Sequence, residues 1–308
     1  MQRRGGTIWR NVRAAMPAPT GRRGFLRLGV ASAPAVLAGC SGLRVVDALA
    51  PSGGYAVRAA IQYGPDPRQA MDAYLPARPG GGEPPPVVLF LYGGSWRSGE
   101  RRDYRFVGSW LARTGHVALV ADYRLHPAVS FPAFVEDAAA AFDMARREAE
   151  ALGGDPRRVV VMGHSAGAHM AALLALEPRY LGALGRTPAE IAGVVGISGP
   201  YVHDFGKVRW LAPVFPDDAS RREAMVIAKA RPGSPPMFLA NGTADVLVPP
   251  RNATELAGRL GALGARVELR LYEQAGHADI LLGLVDPLAG SSTLAADVAA
   301  FLRSLAPV

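Results

Sequence analysis

The chain has 308 residues and a mass of 32.4 kDa, with 49% hydrophobic and 19% charged residues, which suits one large core or two small ones and excludes disorder for most of the length. The net charge of +8 concentrates in residues 1–40, where seven Arg stand without Asp or Glu; the remainder carries +1 and lacks the basic surface that binding to a nucleic-acid backbone needs. No stretch reaches the roughly 20 apolar residues that cross a bilayer, so a polytopic membrane protein is excluded.

Near the N-terminus, Arg22 and Arg23 precede Phe25-Leu26 and an uncharged run over 28–38, the layout of a signal peptide whose apolar centre is too short to span a membrane. Arg22-Arg23-Gly24-Phe25-Leu26 resembles the twin-arginine export signal of bacteria, which implies a cargo folded before export. The run ends in Leu37-Ala38-Gly39-Cys40, similar to a lipobox, in which the cysteine is lipidated and becomes the mature N-terminus. Cys40 is the only cysteine, so no internal disulfide is available and the fold rests on packing. These resemblances imply a signal peptide over 1–40 and a domain exported across the bacterial inner membrane. Its place is then the periplasmic or cell-envelope face, with lipid on Cys40 as its only membrane attachment. Met16 offers a second start, just ahead of the arginine pair.

Pro and Gly cluster at 51–54 and 76–86, which reads as a tether over 41–54 followed by a loop between early strands. The runs 55–62 and 71–75 fit an antiparallel pair. Beyond them, 87–92, 117–122, 159–162, 191–197, 237–240 and 267–272 are short, continuously apolar or β-branched, as strands buried on both faces of a parallel sheet are. Helical periodicity fills the gaps at 104–113, 134–152, 166–176, 252–263 and 293–305. Strand and helix alternate, so the domain over 55–308 is α/β, a mostly parallel sheet of about eight strands with helices on both faces. The stretch 199–236, with Trp210, Phe215 and several Pro, breaks the rhythm and reads as a small cap insertion.

Gly163-His164-Ser165-Ala166-Gly167 follows one predicted strand directly and opens the next predicted helix. A turn this sharp needs glycine on either side and leaves the Ser165 hydroxyl exposed above the sheet edge. A serine hydroxyl is a poor nucleophile until a base takes its proton. Of the six His, His116, His126 and His169 read as structural, and His164 adjoins Ser165 with its side chain expected to point away. His277, in the loop after the last strand, stands where the order nucleophile, acid, base puts the base. Asp245, after the strand 237–240 and a turn rich in Asn and Gly, supplies the acid, ahead of its rivals Asp204 and Asp279. The strand 87–92 runs into Gly93-Gly94-Ser95-Trp96, whose amides, with that of Ala166, suit an oxyanion hole formed by Gly94, Ser95 and Ala166.

Together these residues resemble the α/β-hydrolase fold, a three-layer sandwich, and within it the carboxylesterases of the hormone-sensitive-lipase-like type. The resemblance covers about 71–305, including Met71-Asp72, Trp96-Arg97-Ser98-Gly99, Ala121-Asp122-Tyr123-Arg124-Leu125 and Phe131-Pro132. It implies hydrolysis of small-molecule esters, with short acyl chains, through Ser165, Asp245 and His277 and without a cofactor. Tyr92 stands where that family usually has His before Gly-Gly, and it could brace the oxyanion loop with Gly93 through its hydroxyl. The Gly-Gly-x-Trp variant also resembles arylformamidases and esterases of plant-wall acyl groups, so amide cleavage is an open alternative, as is an inert, surface-tethered binding protein. No His-x-x-x-His pair and no Gly-rich phosphate loop occurs, so neither a metal nor a nucleotide cofactor is implied.

Overall fold

The computed structural model describes residues 46–47, 50–77, 82–285, 290 and 292–308. The leader expected over 1–40, with Arg22, Arg23 and Cys40, lies outside them. The stretch expected as a tether is pinned at Asp47, whose carboxylate accepts the Phe106 amide at 2.8 Å and Arg105 Nε at 3.1 Å.

Eight strands among the described residues form one sheet: β1 (Tyr55–Gln62), β2 (Ala70–Pro76), β3 (Pro86–Leu91), β4 (Val117–Ala121), β5 (Asp155–His164), β6 (Gly193–Ile197), β7 (Met237–Gly242) and β8 (Val267–Tyr272). Their order is β1-β2-β4-β3-β5-β6-β7-β8. As expected, β1 and β2 pair antiparallel, and β2 meets β4 antiparallel; every pair from β4 across to β8 is parallel. Residues 87–91 of β3 are fully buried, and so are nearly all of β4 and β6. Strands with no exposed face need cover on both sides, which is why they read as unbroken apolar runs rather than as alternating ones.

Helices supply that cover: α1 (Arg105–Arg113), α2 (Ala133–Glu148), α3 (Ala166–Leu176), α4 (Pro178–Gly182), α5 (Asp218–Glu223), α6 (Arg251–Ala262) and α7 (Leu294–Arg303). α3 is buried along its whole length because it lies under the cap and against α2 as well as on the sheet. Two boundaries differ from expectation by four residues, the others by at most two. The helix expected over 134–152 ends at Glu148 and is followed by a separate 3₁₀ turn, Glu150–Leu152, closed by Gly153 at φ +79°. β5 starts earlier than its apolar run, at Asp155, because Pro85 accepts the Asp155 amide at 2.9 Å and draws the polar residues into the sheet. The segment 199–236, expected as a cap, holds the 3₁₀ turns Phe205–Lys207 and Val226–Lys229 with α5 between them.

Candidate active site

The C-terminal ends of β3, β5 and β7 and the loop after β8 converge on Ser165. At this residue the backbone turns from β5 into α3 with φ +53° and ψ −118°, a strained conformation for a residue with a Cβ. The flanking glycines answer to space. A Cβ on Gly163 would lie 2.3 Å from the main chain of Gly167, and one on Gly167 would lie 1.9 Å from the Leu91 carbonyl oxygen. β3 therefore presses directly on the first turn of α3, and the Ser165 amide is fixed by the Ile197 carbonyl at 2.9 Å.

Three side chains far apart in sequence then meet. His277 Nε2 lies 2.9 Å from Ser165 Oγ, and His277 Nδ1 lies 2.8 Å from Asp245 Oδ2. A carboxylate only accepts, so Nδ1 carries the proton and the bare Nε2 accepts from the serine hydroxyl. Burial alone would raise the Asp245 carboxyl. Hydrogen bonding and charge interaction with His277, and the Val248 amide, outweigh burial and hold the carboxyl below its usual range. Its Oδ1 accepts the Leu247 and Val248 amides at 3.0 and 2.8 Å, and Asn241 Nδ2 donates to the Val248 carbonyl at 3.0 Å. The Asp245 turn and the His277 loop are tied together directly: the Ala244 amide donates to the Ala275 carbonyl at 3.1 Å, and a Cβ on Gly242 would stand 2.1 Å from that oxygen. The rival Asp204 instead pairs with Lys207 and caps the Gly206 amide.

The His164 side chain packs against His277. Its Nε2 lies 2.9 Å from the His277 carbonyl oxygen, with the two rings 4.9 Å apart. A carbonyl accepts only, so this nitrogen carries the proton, and burial, then the neighbouring His277, pushes the His164 imidazole down to about 3. It stays neutral beside the base. Gly93 lies against this pair, since a Cβ there would sit 2.9 Å from His164 Nδ1 and 3.0 Å from the Ser165 Cβ.

Ser95 and Ala166, two of the three expected oxyanion donors, line the same cavity as Ser165. Gly94 does not line it. Its φ of +125° closes a tight turn in which its carbonyl accepts the Arg97 and Ser98 amides at 3.0 and 3.1 Å. Ser95 and Trp96 follow at φ +56° and +57°, left-handed values that non-glycine residues avoid and that cluster at functional loops.

Tyr92 braces this loop through partners that the sequence reading missed. Its hydroxyl donates to Asp122 Oδ1 at 2.8 Å and accepts from Arg68 Nη2 at 2.7 Å, while its ring stacks on Tyr123 and Tyr104. The Tyr123 hydroxyl donates to the Tyr92 carbonyl at 2.9 Å, and Arg101 bridges Asp72 and Asp122. Burial, then the neighbouring Tyr123 and Asp122, raises the Tyr92 phenol well above its usual value, so it is neutral and able to donate.

The cavity over Ser165 measures about 140 Å³; its cap-side wall is Pro200, His203, Phe205, Val208, Trp210 and Leu211. The segment 199–236 is held to α3 by His169, whose Nε2 donates to the Ala224 carbonyl at 2.7 Å, and to the loop after β3 by Trp96, which meets Phe205 and Phe215 as well as Phe134 of α2.

The chain is similar to known proteins. The chain is 32% identical over 255 residues to the isoprenylcysteine alpha-carbonyl methylesterase ICME of Arabidopsis thaliana, a match spanning 76% of this chain and 59% of that one. It is 31% identical over 252 residues to the esterase LipC of Mycobacterium tuberculosis, spanning 74% of this chain and 61% of LipC, so it covers about three fifths of the length of these relatives. The propionate-bound structure of Thermogutta terrifontis esterase 2 superposes with a TM-score of 0.66 at 28% identity, covering 84% of this chain and 98% of that one. The BD-FAE family model matches residues 71–260, which takes in the loop after β3, Ser165, the segment 199–236 and Asp245: the chain belongs to the BD-FAE family.

Proposed function

We propose that the chain is a serine hydrolase of carboxylic esters with short acyl groups. The observation that carries this reading is the hydrogen-bonded line from Ser165 Oγ through His277 to Asp245, 2.9 and 2.8 Å long. In the proposed mechanism His277 Nε2 takes the Ser165 proton as Oγ attacks the ester carbonyl, and Asp245 stabilises the resulting imidazolium. The amides of Ser95 and Ala166, with Gly94 shaping their turn, face the developing oxyanion. His277 returns the proton to the departing alkoxide, leaving an acyl-enzyme, and water attacks that intermediate by the same route in reverse.

The size of the acyl group follows from the cavity. At about 140 Å³ it is close to the roughly 150 Å³ at which an apolar cavity admits one benzene ring, so an acyl chain of about six carbons or fewer fits. A related esterase supports this reading: the Thermogutta structure has propionate bound. The hormone-sensitive-lipase-like assignment rests on the motifs around Met71, Trp96 and Ala121.

Ser165→Ala is expected to lower p-nitrophenyl acetate turnover at least 10³-fold and to abolish labelling by a fluorophosphonate probe. Retained turnover would refute the assignment.

A further inference from the structure

The mouth of the Ser165 cavity is edged by large apolar side chains that the fold leaves in water. Trp210 is 45% exposed, Val246 93% and Leu247 49%, three of the seven large hydrophobic residues exposed among the described residues. Trp210 and Leu247 also line the cavity, so the exposed strip continues its inner wall.

The backbone that carries these side chains is held in place. Val246 and Leu247 cap the turn whose 247 and 248 amides bind Asp245 Oδ1, the same carboxylate that orients His277. Trp210 is fixed from the other side by Arg97 Nη1, which donates to its carbonyl at 2.9 Å. Positioned apolar surface in water contributes little to folding, and beside a cavity it marks a surface that a ligand covers.

We propose that this lip carries the alcohol chain of the substrate, so that the preferred esters are amphiphilic: a short acyl group in the cavity and a longer apolar alcohol over Trp210, Val246 and Leu247. The assignment rests on the Ser165 reading above. A cavity of about 140 Å³ has no room for both halves of a long ester, so one half must lie outside it. Chemistry decides which half. The alcohol leaves in the first step and needs a direct route to solvent, whereas the acyl group must stay beside Ser165 until water attacks.

The test is kcat/KM for monomeric propionate esters of straight-chain alcohols from ethanol to octanol. Full burial of a methylene corresponds to a factor of about four, and contact with one side of a half-exposed lip to about two. Wild-type protein is expected to gain about twofold per methylene, and Val246→Ser/Leu247→Ser to lose most of that slope. Trp210→Ser, from the opposite side of the mouth, is expected to flatten the slope as well, which separates the lip from a fault in one turn. A flat series in the wild type, or an equal slope in both variants, overturns the proposal. If Ser165→Ala silences turnover while the series is flat, the lip alone is wrong; if Ser165→Ala retains turnover, the reading beneath it fails.

Discussion

Tyr92 stands at the end of β3 where the family resemblance leads one to expect His, and its hydroxyl shares one buried network with Arg68 and Asp122. Tyr92→Phe keeps both ring stacks and leaves Arg68 Nη2 and Asp122 Oδ1 each short of one partner. Such a loss costs about 1–3 kcal/mol, so the urea midpoint is expected to fall accordingly, with turnover reduced as the Gly93–Trp96 loop loosens. An unchanged midpoint would show that the hydroxyl braces nothing. At this scale Ser165, Asp245 and His277 were legible because glycine spacing and chain order announce them. Arg68, Arg101 and Asp122 were not, because their partners lie 21 to 30 residues away along the chain and no local pattern joins them.

Among elements, the contact between β3 and α3 sets the site, and it is governed by the absence of one atom. Gly167→Ala places a Cβ 1.9 Å from the Leu91 carbonyl oxygen, which is sheet backbone and cannot yield without moving the β3–β5 register. The variant is expected to lose more than 3 kcal/mol of stability and Ser165 reactivity together, read by urea denaturation and probe labelling. Full labelling at wild-type stability would mean that the close approach is not needed. The strand and helix spans were readable to within a few residues because fully buried strands and amphipathic helices write their periods into the chain. The cap was visible only as a break in rhythm. Its packing, with Phe205 and Phe215 stacked 4.1 Å apart and His169 bonded to Ala224, depends on where α3 carries His169.

Across the whole molecule, the buried imidazoles make stability depend on pH. Burial comes first in lowering His116 and His169 to about 4 and His164 to about 3; in the unfolded chain each titrates near 6.5. Between those values the unfolded chain binds more protons, so stability is complete above about pH 6.5 and falls as the pH drops toward 4. Each of His116 and His169 removes about 2 kcal/mol between pH 6.5 and 5, and Asp245, held below its usual range, adds a loss in the same direction at lower pH. Urea midpoints are expected to drop markedly from pH 7 to pH 5. A flat profile would mean that these rings take up protons in the folded protein as readily as in the unfolded chain.

By itself the sequence pointed to the α/β alternation, to the sharp turn at Ser165 and to the chain order Ser165, Asp245, His277, since these follow from local periodicity and from glycines that local geometry demands. Only the tertiary structure decided that the 277 ring reaches the oxygen at 165, that His164 meets the His277 carbonyl, and that the cavity is small with an apolar lip. Those are distances between residues 36 to 113 positions apart, fixed by how the sheet is ordered and how the cap packs, and no repeat or spacing along the chain encodes them.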